Sequence, residues 1–194
     1  MSLFFNQWKA QLNGSKPQFG KTKRRYVFAH HIVGNTYPYQ LWDWEYDIVR
    51  ALELGIDAFA LNIGPDSWES ARVADAYQAA QNVATITGKV FKVFISFDLS
   101  FAFTADQINT YIESYATHPN QFMYQNGVFV STFSGEGTTF GESNINDGWQ
   151  LQIKNVLAKK GISIYFVPEW SALDPNGIFQ KYPVMDGILS WNAW

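Results

Sequence analysis

Phe91-Lys-Val-Phe-Ile-Ser-Phe-Asp98 alternates bulky apolar side chains at Phe91, Val93, Ile95 and Phe97 with Lys92, Phe94, Ser96 and Asp98, the two-residue period of a β-strand. The stretch Ile56–Ile63 repeats the pattern, setting Phe59, Leu61 and Ile63 against Ala58, Ala60 and Asn62. Each strand therefore has one bulky face and one small or polar face. An open doubly wound sheet is covered by helices on both sides and is apolar on both, whereas a (β/α) barrel can carry polar side chains near the top of its interior. The alternation favours the barrel.

Working outward, similar β-branched and aromatic runs occur at Tyr26–Val33, Val128–Phe133, Ile162–Val167 and Met185–Trp191. The six runs start 23 to 37 residues apart, the length of a strand plus one crossover helix. The helices between them carry their own punctuation. Trp44, Ile48, Ala51 and Leu52 form an apolar stripe that ends at Gly55, a natural helix-terminating glycine. A second helix over about residues 67–85 places Ala76, Ala79, Ala80 and Val83 on one face. A third opens with Thr104 and Gln107 at capping-box spacing and stops before Pro119, and a fourth uses Trp149, Ile153, Val156 and Leu157 and closes at Gly161. The fold class read from this is α/β, a (β/α)8 TIM-type barrel of which about six βα units are present. A full barrel takes eight units and about 250 residues, so either the chain is part of a longer barrel or another chain closes it. The expected division is a lead-in over residues 1–24 and a partial barrel domain over residues 25–194.

Composition narrows the function classes. Of 194 residues 47% are apolar and 16% charged, with 14 Lys+Arg against 17 Asp+Glu, so the chain has a core to bury and no electrostatic case for nucleic acid. No cysteine is present, which removes disulfides, thiolate nucleophiles and cysteine-type zinc sites. No apolar run reaches the roughly 18–20 residues of a membrane span, and the start lacks the charged-then-apolar order of a secretory signal. Membrane contact and oligomerisation are not expected, and a cytoplasmic location is. Gly135, Gly137 and Gly141 lack the spacing of a phosphate loop. The basic cluster Lys21, Lys23, Arg24 and Arg25 precedes the first strand, away from the functional end of a barrel, and reads as a solvated face. Asn13-Gly-Ser15 matches a glycosylation acceptor.

Barrel enzymes work at the C-terminal ends of their strands. There the sequence is polar almost every time: His30 and His31; Asn62 and Asp66; Asp98 and Ser100; Thr132, Ser134 and Glu136; Glu169 and Trp170; Ser190, Trp191 and Asn192. Carboxylates interleaved with Trp, His and amides suit a sugar, whose faces stack on aromatic rings and whose hydroxyls take hydrogen bonds. Each group also has a plainer reading. Asp66 and Glu69 fit a helix cap as well as a catalytic role. Adjacent His30 and His31 point to opposite faces, so they do not share a metal, and no metal or other cofactor is expected. Asp98 divides between pocket and loop cap, Glu136 sits in a Gly-flanked loop where a solvated carboxylate is the default, and Glu169 between Pro168 and Trp170 fits a pocket rim.

Several longer motifs carry a resemblance. Arg25-Tyr-Val-Phe-Ala-His-His-Ile-Val-Gly-Asn-Thr-Tyr-Pro-Tyr39, Trp44-Glu-Tyr-Asp47 and Gly55-Ile-Asp-Ala-Phe-Ala-Leu-Asn-Ile-Gly64 resemble glycoside hydrolase family 71, the fungal α-1,3-glucanases or mutanases. Phe94-Ile-Ser-Phe-Asp98, His118-Pro-Asn-Gln-Phe122, Val130-Ser-Thr-Phe-Ser-Gly-Glu136, Tyr165-Phe-Val-Pro168 and Leu189-Ser-Trp-Asn-Ala-Trp194 continue it in order. The resemblance implies a (β/α)-barrel hydrolase that cleaves α-1,3-glucan internally, inverts the anomeric centre and uses no cofactor or metal. It places a family carboxylate on Asp66, while the Asp/Glu pair implied as main acid and base has no match in this sequence. Inversion needs one carboxyl to protonate the leaving oxygen and another to activate water about 6.5–9.5 Å away. Asp66 is therefore expected to orient substrate or water, or to tune the acid and base, with His30, Asn62, Asp98, Glu136, Glu169 and Asn192 lining the glucan cleft. The alternative is a glucan-binding or regulatory remnant without catalysis. The family is commonly secreted, which the start of this sequence does not reflect.

Overall fold

Strands and helices alternate throughout the computed structural model, which describes residues 25–170 and 172–191. Strand β1 (Phe28–Ile32) leads through helix α1 (Leu41–Glu53) to β2 (Ala58–Ile63), α2 (Glu69–Thr87), β3 (Lys92–Asp98) and α3 (Ala105–Tyr115). A two-residue β4 (Met123–Tyr124) and β5 (Gly127–Phe133) follow. Helix α4 is composite: Ile145–Asp147, a π-helical stretch Gly148–Lys154, and Asn155–Ala158. Strand β6 (Ile164–Glu169) and the single turn α5 (Ile178–Lys181) come last. Strands β1, β2, β3, β5 and β6 lie side by side and parallel, with β4 antiparallel on β5.

The sheet is strongly curled. Neighbouring strands stand about 4.8 Å apart, so β1 and β5, three places apart, would be about 14 Å apart in a flat sheet. Instead the Phe28 ring lies 5.6 Å from that of Phe129 and 5.1 Å from that of Phe94, and Tyr26 reaches Tyr124 at 6.3 Å. Ala58 and Ala60 on β2 leave room for these rings, and the aromatic floor they form is the concave face. On the convex face Phe59, Leu61, Ile63, Val93, Ile95 and Phe97 are buried with Ile48, Val73, Ala76, Ala80 and Ile108 of the helices. Each such large side chain contributes about 1.5–3 kcal/mol on burial, so this layer holds the helices to the sheet. The bulky and small faces read from β2 and β3 are thus its two sides. A curled parallel sheet with helices outside is compatible with part of a barrel.

Local signals in the sequence account for the element ends. Gly55 and Gly161 take φ values of 77° and 76° after α1 and α4, a region that glycine enters without strain. Thr104 and Gln107 exchange both bonds of a capping box at α3. Three expectations change. The Met185–Trp191 run is not a strand of the sheet: it lies along β6 through one parallel bridge, Leu189 to Glu169, and the ladder extends no further because Asp186 Oδ2 takes the Phe166 N–H while the Asp186 and Gly187 N–H groups both bond Phe166 O. The sixth strand of the sheet is β4. The fourth crossover contains π geometry, packed where a Cβ on Gly148 would stand 2.4 Å from Thr139 O. Among the described residues no helix is long and apolar enough to cross a membrane. Residues 1–24, with the lead-in, the Asn13-Gly-Ser15 motif and most of the basic cluster, lie outside the described residues, as does Asn192.

Candidate functional site

The parallel register stacks the concave face into tiers. His30, Ala60 and Phe94 share one; Asn62, Ser96 and Ser131 the next; Asp98, Phe133 and Glu169 the one nearest the strand C-termini. The face thus changes from aromatic to polar along the strands. Trp191 lies over the top, its ring 5.1 Å from His30 and 5.2 Å from Phe133, and so spans from β1 to β5.

Asn62 is 5% exposed, and its Nδ2 is buried without a hydrogen-bond partner among the described residues. A buried amide donor left unpaired costs about 1–3 kcal/mol, so it calls for an acceptor beyond the described residues. Glu169 is also 5% exposed, and its Oε2 accepts the Ser134 N–H at 3.2 Å. Trp170 behind it is fully buried. The carboxylate is therefore inside the rim rather than an exposed charge. Asp98 caps its loop, its Oδ1 accepting the Ser100 N–H at 3.1 Å and the Ser100 hydroxyl, and its charge also acts on His30. Desolvation lowers the His30 pKa below 6.5; Asp98 opposes this and His31 adds to it. The imidazole is thus mostly neutral near neutral pH, able to accept as well as donate.

The two histidines do separate. His31 packs on the convex side, 4.6 Å from the Trp44 ring and 5.0 Å from that of Phe59, with Nε2 3.2 Å from Asp47 Oδ2. Tyr39 OH donates to the same carboxylate oxygen at 3.1 Å. Thr132 likewise belongs to the convex side, fully buried with its hydroxyl on Ser134 O, and the concave partners on β5 are Ser131 and Phe133. These two escaped the strand-end survey, although the alternation with Phe129 contained the signal.

Asp66 is exposed in the loop between β2 and α2. The helix begins after Trp68, which makes no side-chain cap, and the Asp66 carbonyl, not its carboxylate, accepts the Glu69 N–H at 3.0 Å. The cap reading is therefore replaced by a different arrangement. Glu69, 2% exposed, turns back so that Oε2 accepts the Gly64 N–H at 2.8 Å. Burial raises its pKa, the Gly64 bond lowers it, and the Asp66 and Asp98 charges raise it further. The Asp66 carboxylate itself makes no hydrogen bond among the described residues and is open to a ligand. Glu136 stands half-buried in a turn closed by the Thr138 N–H on Gly135 O at 3.0 Å. Gly135 at φ 97° packs so tightly on Leu99 that a Cβ would lie 2.5 Å from Leu99 Cδ1, which makes this loop more ordered than its glycines alone imply. Among the described residues no three His, Asp or Glu side chains cluster as a metal site.

The sequence model of glycosyl hydrolase family 71 matches residues 23–194. Over 169 residues the chain is 49% identical to a glucan endo-1,3-alpha-glucosidase of Schizosaccharomyces pombe, an alignment covering 87% of this chain and 38% of that protein. It is 40% identical over 170 residues to an ascus wall endo-1,3-alpha-glucanase of the same yeast, covering 87% of this chain and 38% of that protein. It is 36% identical over 178 residues to a mutanase of Penicillium rubens, covering 90% of this chain and 35% of that protein. The chain thus spans little more than a third of the length of these relatives.

Proposed function

The chain belongs to glycosyl hydrolase family 71, and from that membership we propose that its curled parallel sheet is part of a (β/α)8 barrel that hydrolyses internal α-1,3-glucosidic bonds of fungal cell-wall α-glucan. The observation that carries this reading is the buried, unpaired Asn62 amide in a polar tier above an aromatic floor. A neutral polyol fits such a tier: its hydroxyls satisfy Asn62, Asp98 and Glu169, while Trp191 offers an aromatic surface. The names of the relatives support α-1,3-glucan as the polyol.

In this account His30, Asn62, Asp98, Glu136 and Glu169 line the cleft, and Asp66 orients the sugar or the attacking water. Inverting hydrolysis proceeds with protonation of the leaving oxygen by a carboxyl and attack by a water that a second carboxylate deprotonates, without cofactor or metal. The pair implied for those steps has no counterpart among these 194 residues, so this stretch is assigned substrate holding and orientation. The test is reducing-sugar release from insoluble α-1,3-glucan by this chain and by the 49%-identical yeast relative, each beside the variant at the position of Asp66 (Asp66→Asn here). Loss of at least about tenfold in the relative, about 1.4 kcal/mol of transition-state stabilisation, is expected. Unchanged activity there would remove Asp66 from the site. Glucan retention by this chain without sugar release agrees with that assignment, whereas sugar release by this chain alone would mean that a complete acid and base pair lies within it.

A further inference from the structure

The loops that leave β1 and β2 are fastened to one another. Arg72 in the first turns of α2 donates to Tyr39 O, and Glu69 Oε1 lies 3.7 Å from where a Cβ on Gly34 would be and 3.0 Å from one on Gly64. The first loop is also closed within itself. Thr36 is 1% exposed, its hydroxyl and N–H both bond Val33 O at 2.7 and 2.8 Å, and Tyr39 N–H bonds Thr36 O at 2.9 Å. From this pinned backbone Tyr37 projects with 70% of its surface exposed. Its ring stands 5.1 Å from that of Trp68 at 86°, edge to face. Trp68 is half-buried and two residues beyond the open carboxylate of Asp66.

An exposed aromatic pair on an ordered loop is not required by packing, and edge-to-face contact fixes one ring while leaving a whole face of the other bare. A flat apolar face beside an unpaired acceptor is the arrangement that binds a pyranose: C–H groups lie on the ring and hydroxyls donate to the carboxylate. The occupant is not an anion, since Arg72 is already paired with Asp75 at 3.0 Å and the Asp66 and Glu69 carboxylates give the surroundings a negative sign; the glucan reading of the neighbouring tier selects a neutral sugar. We propose that Tyr37 and Trp68 form a glucosyl subsite next to Asp66, which holds one glucose unit of an α-1,3-linked chain running through the central tier. The inference rests on the glucan reading and adds to it two residues that strand-end position did not single out.

Depletion isotherms on insoluble α-1,3-glucan test it without requiring hydrolysis, using this chain, Tyr37→Ala, Tyr37→Phe and Trp68→Leu, with β-1,3-glucan and α-1,4-glucan as controls. Tyr37→Ala and Trp68→Leu should each bind about tenfold more weakly, while Tyr37→Phe, which keeps the ring, stays within about twofold of the parent. Melting temperatures accompany the isotherms; because Tyr37 is mostly exposed, Tyr37→Ala leaves the fold intact should Trp68→Leu disturb α2. Parent-like binding by both weakened variants overturns the subsite while leaving the glucan reading standing. No retention of the parent on α-1,3-glucan, or equal retention on all three polymers, overturns both.

Discussion

Glu69 and Gly64 should behave as a coupled pair. Replacing Glu69 by alanine removes a carboxylate that is 2% exposed and accepts the Gly64 N–H at 2.8 Å. A hydrogen bond to an ionised group is worth about 1.5–3 kcal/mol, and relief of the buried charge offsets part of it. A net loss of about 1–2 kcal/mol lowers the melting temperature by about 2–8 °C in a chain of this size. Gly64→Ala places a Cβ 3.0 Å from Glu69 Oε1 and 3.8 Å from its Cδ, so the carboxylate must shift and its bond lengthens, costing about 1 kcal/mol. In the Glu69→Ala background that obstacle is gone, and the reduced freedom of the unfolded chain leaves Gly64→Ala neutral or stabilising by about 0.4–1 kcal/mol. Urea unfolding of the four proteins, read by circular dichroism and compared through a common slope, gives the coupling. The pH dependence provides a second signature. The folded pKa of Glu69 is raised above its ordinary 4.5, so between 4.5 and the folded value the native state holds a proton that the unfolded state has released. Stability of the parent relative to Glu69→Ala therefore falls as pH rises through that window. Strictly additive mutations, or a relative stability that climbs with pH there, would refute the arrangement.

Other consequences are local. Gly148→Ala sets a Cβ 2.4 Å from the Thr139 carbonyl oxygen, a backbone clash that should cost more than about 3 kcal/mol and abolish a cooperative melt; a parent-like melt would mean that this segment packs otherwise. Thr104→Ala removes the hydroxyl that accepts the Gln107 N–H at 3.2 Å and should cost about 1 kcal/mol by chemical denaturation. Asp98→Asn removes the charge that raises the His30 pKa against desolvation, so the imidazole midpoint followed by NMR should move further down, and an upward shift would deny their proximity.

Much of the scaffold was legible because short-range rules govern it. Alternation in β2 and β3 gave both faces of the sheet, since neighbouring side chains on a strand cannot share a side. Gly55, Gly161 and the Thr104–Gln107 pair marked helix ends for reasons confined to one turn. The β4–β5 hairpin went unread although its turn is local: Tyr124 pairs with Gly127, and the two residues between them, Gln125 and Asn126, both take positive φ, the geometry such a tight turn requires. The other misses depend on distant chain. Met185–Trp191 has the composition of a strand, but the Asp186 carboxylate takes the Phe166 N–H that a continuous ladder would use, and one parallel bridge from Leu189 to Glu169 is left. The π geometry of α4 follows from contact between Gly148 and Thr139, which no periodicity encodes.

The candidate site divides in the same way. Strand-end position picked out His30, Asn62, Asp98 and Glu169, which share the concave face, yet took Thr132 in place of Ser131 because the end of a run does not fix its parity. The capping-box spacing of Asp66 and Glu69 was real, but burial beneath Gly34 and Gly64 redirected the Glu69 carboxylate to the loop. Spacing says which groups can meet, and three-dimensional packing decides which do.

The most direct test of the account is an NMR titration of the chain with an α-1,3-linked glucose tetrasaccharide, followed on the Asn62 side-chain amide and the His30 imidazole. The account predicts saturable shifts at both, with the Asn62 Nδ2 protons moving as they gain an acceptor. Shifts confined to the opposite end of the strands, around Tyr26 and Lys92, or none at saturating sugar, would contradict it.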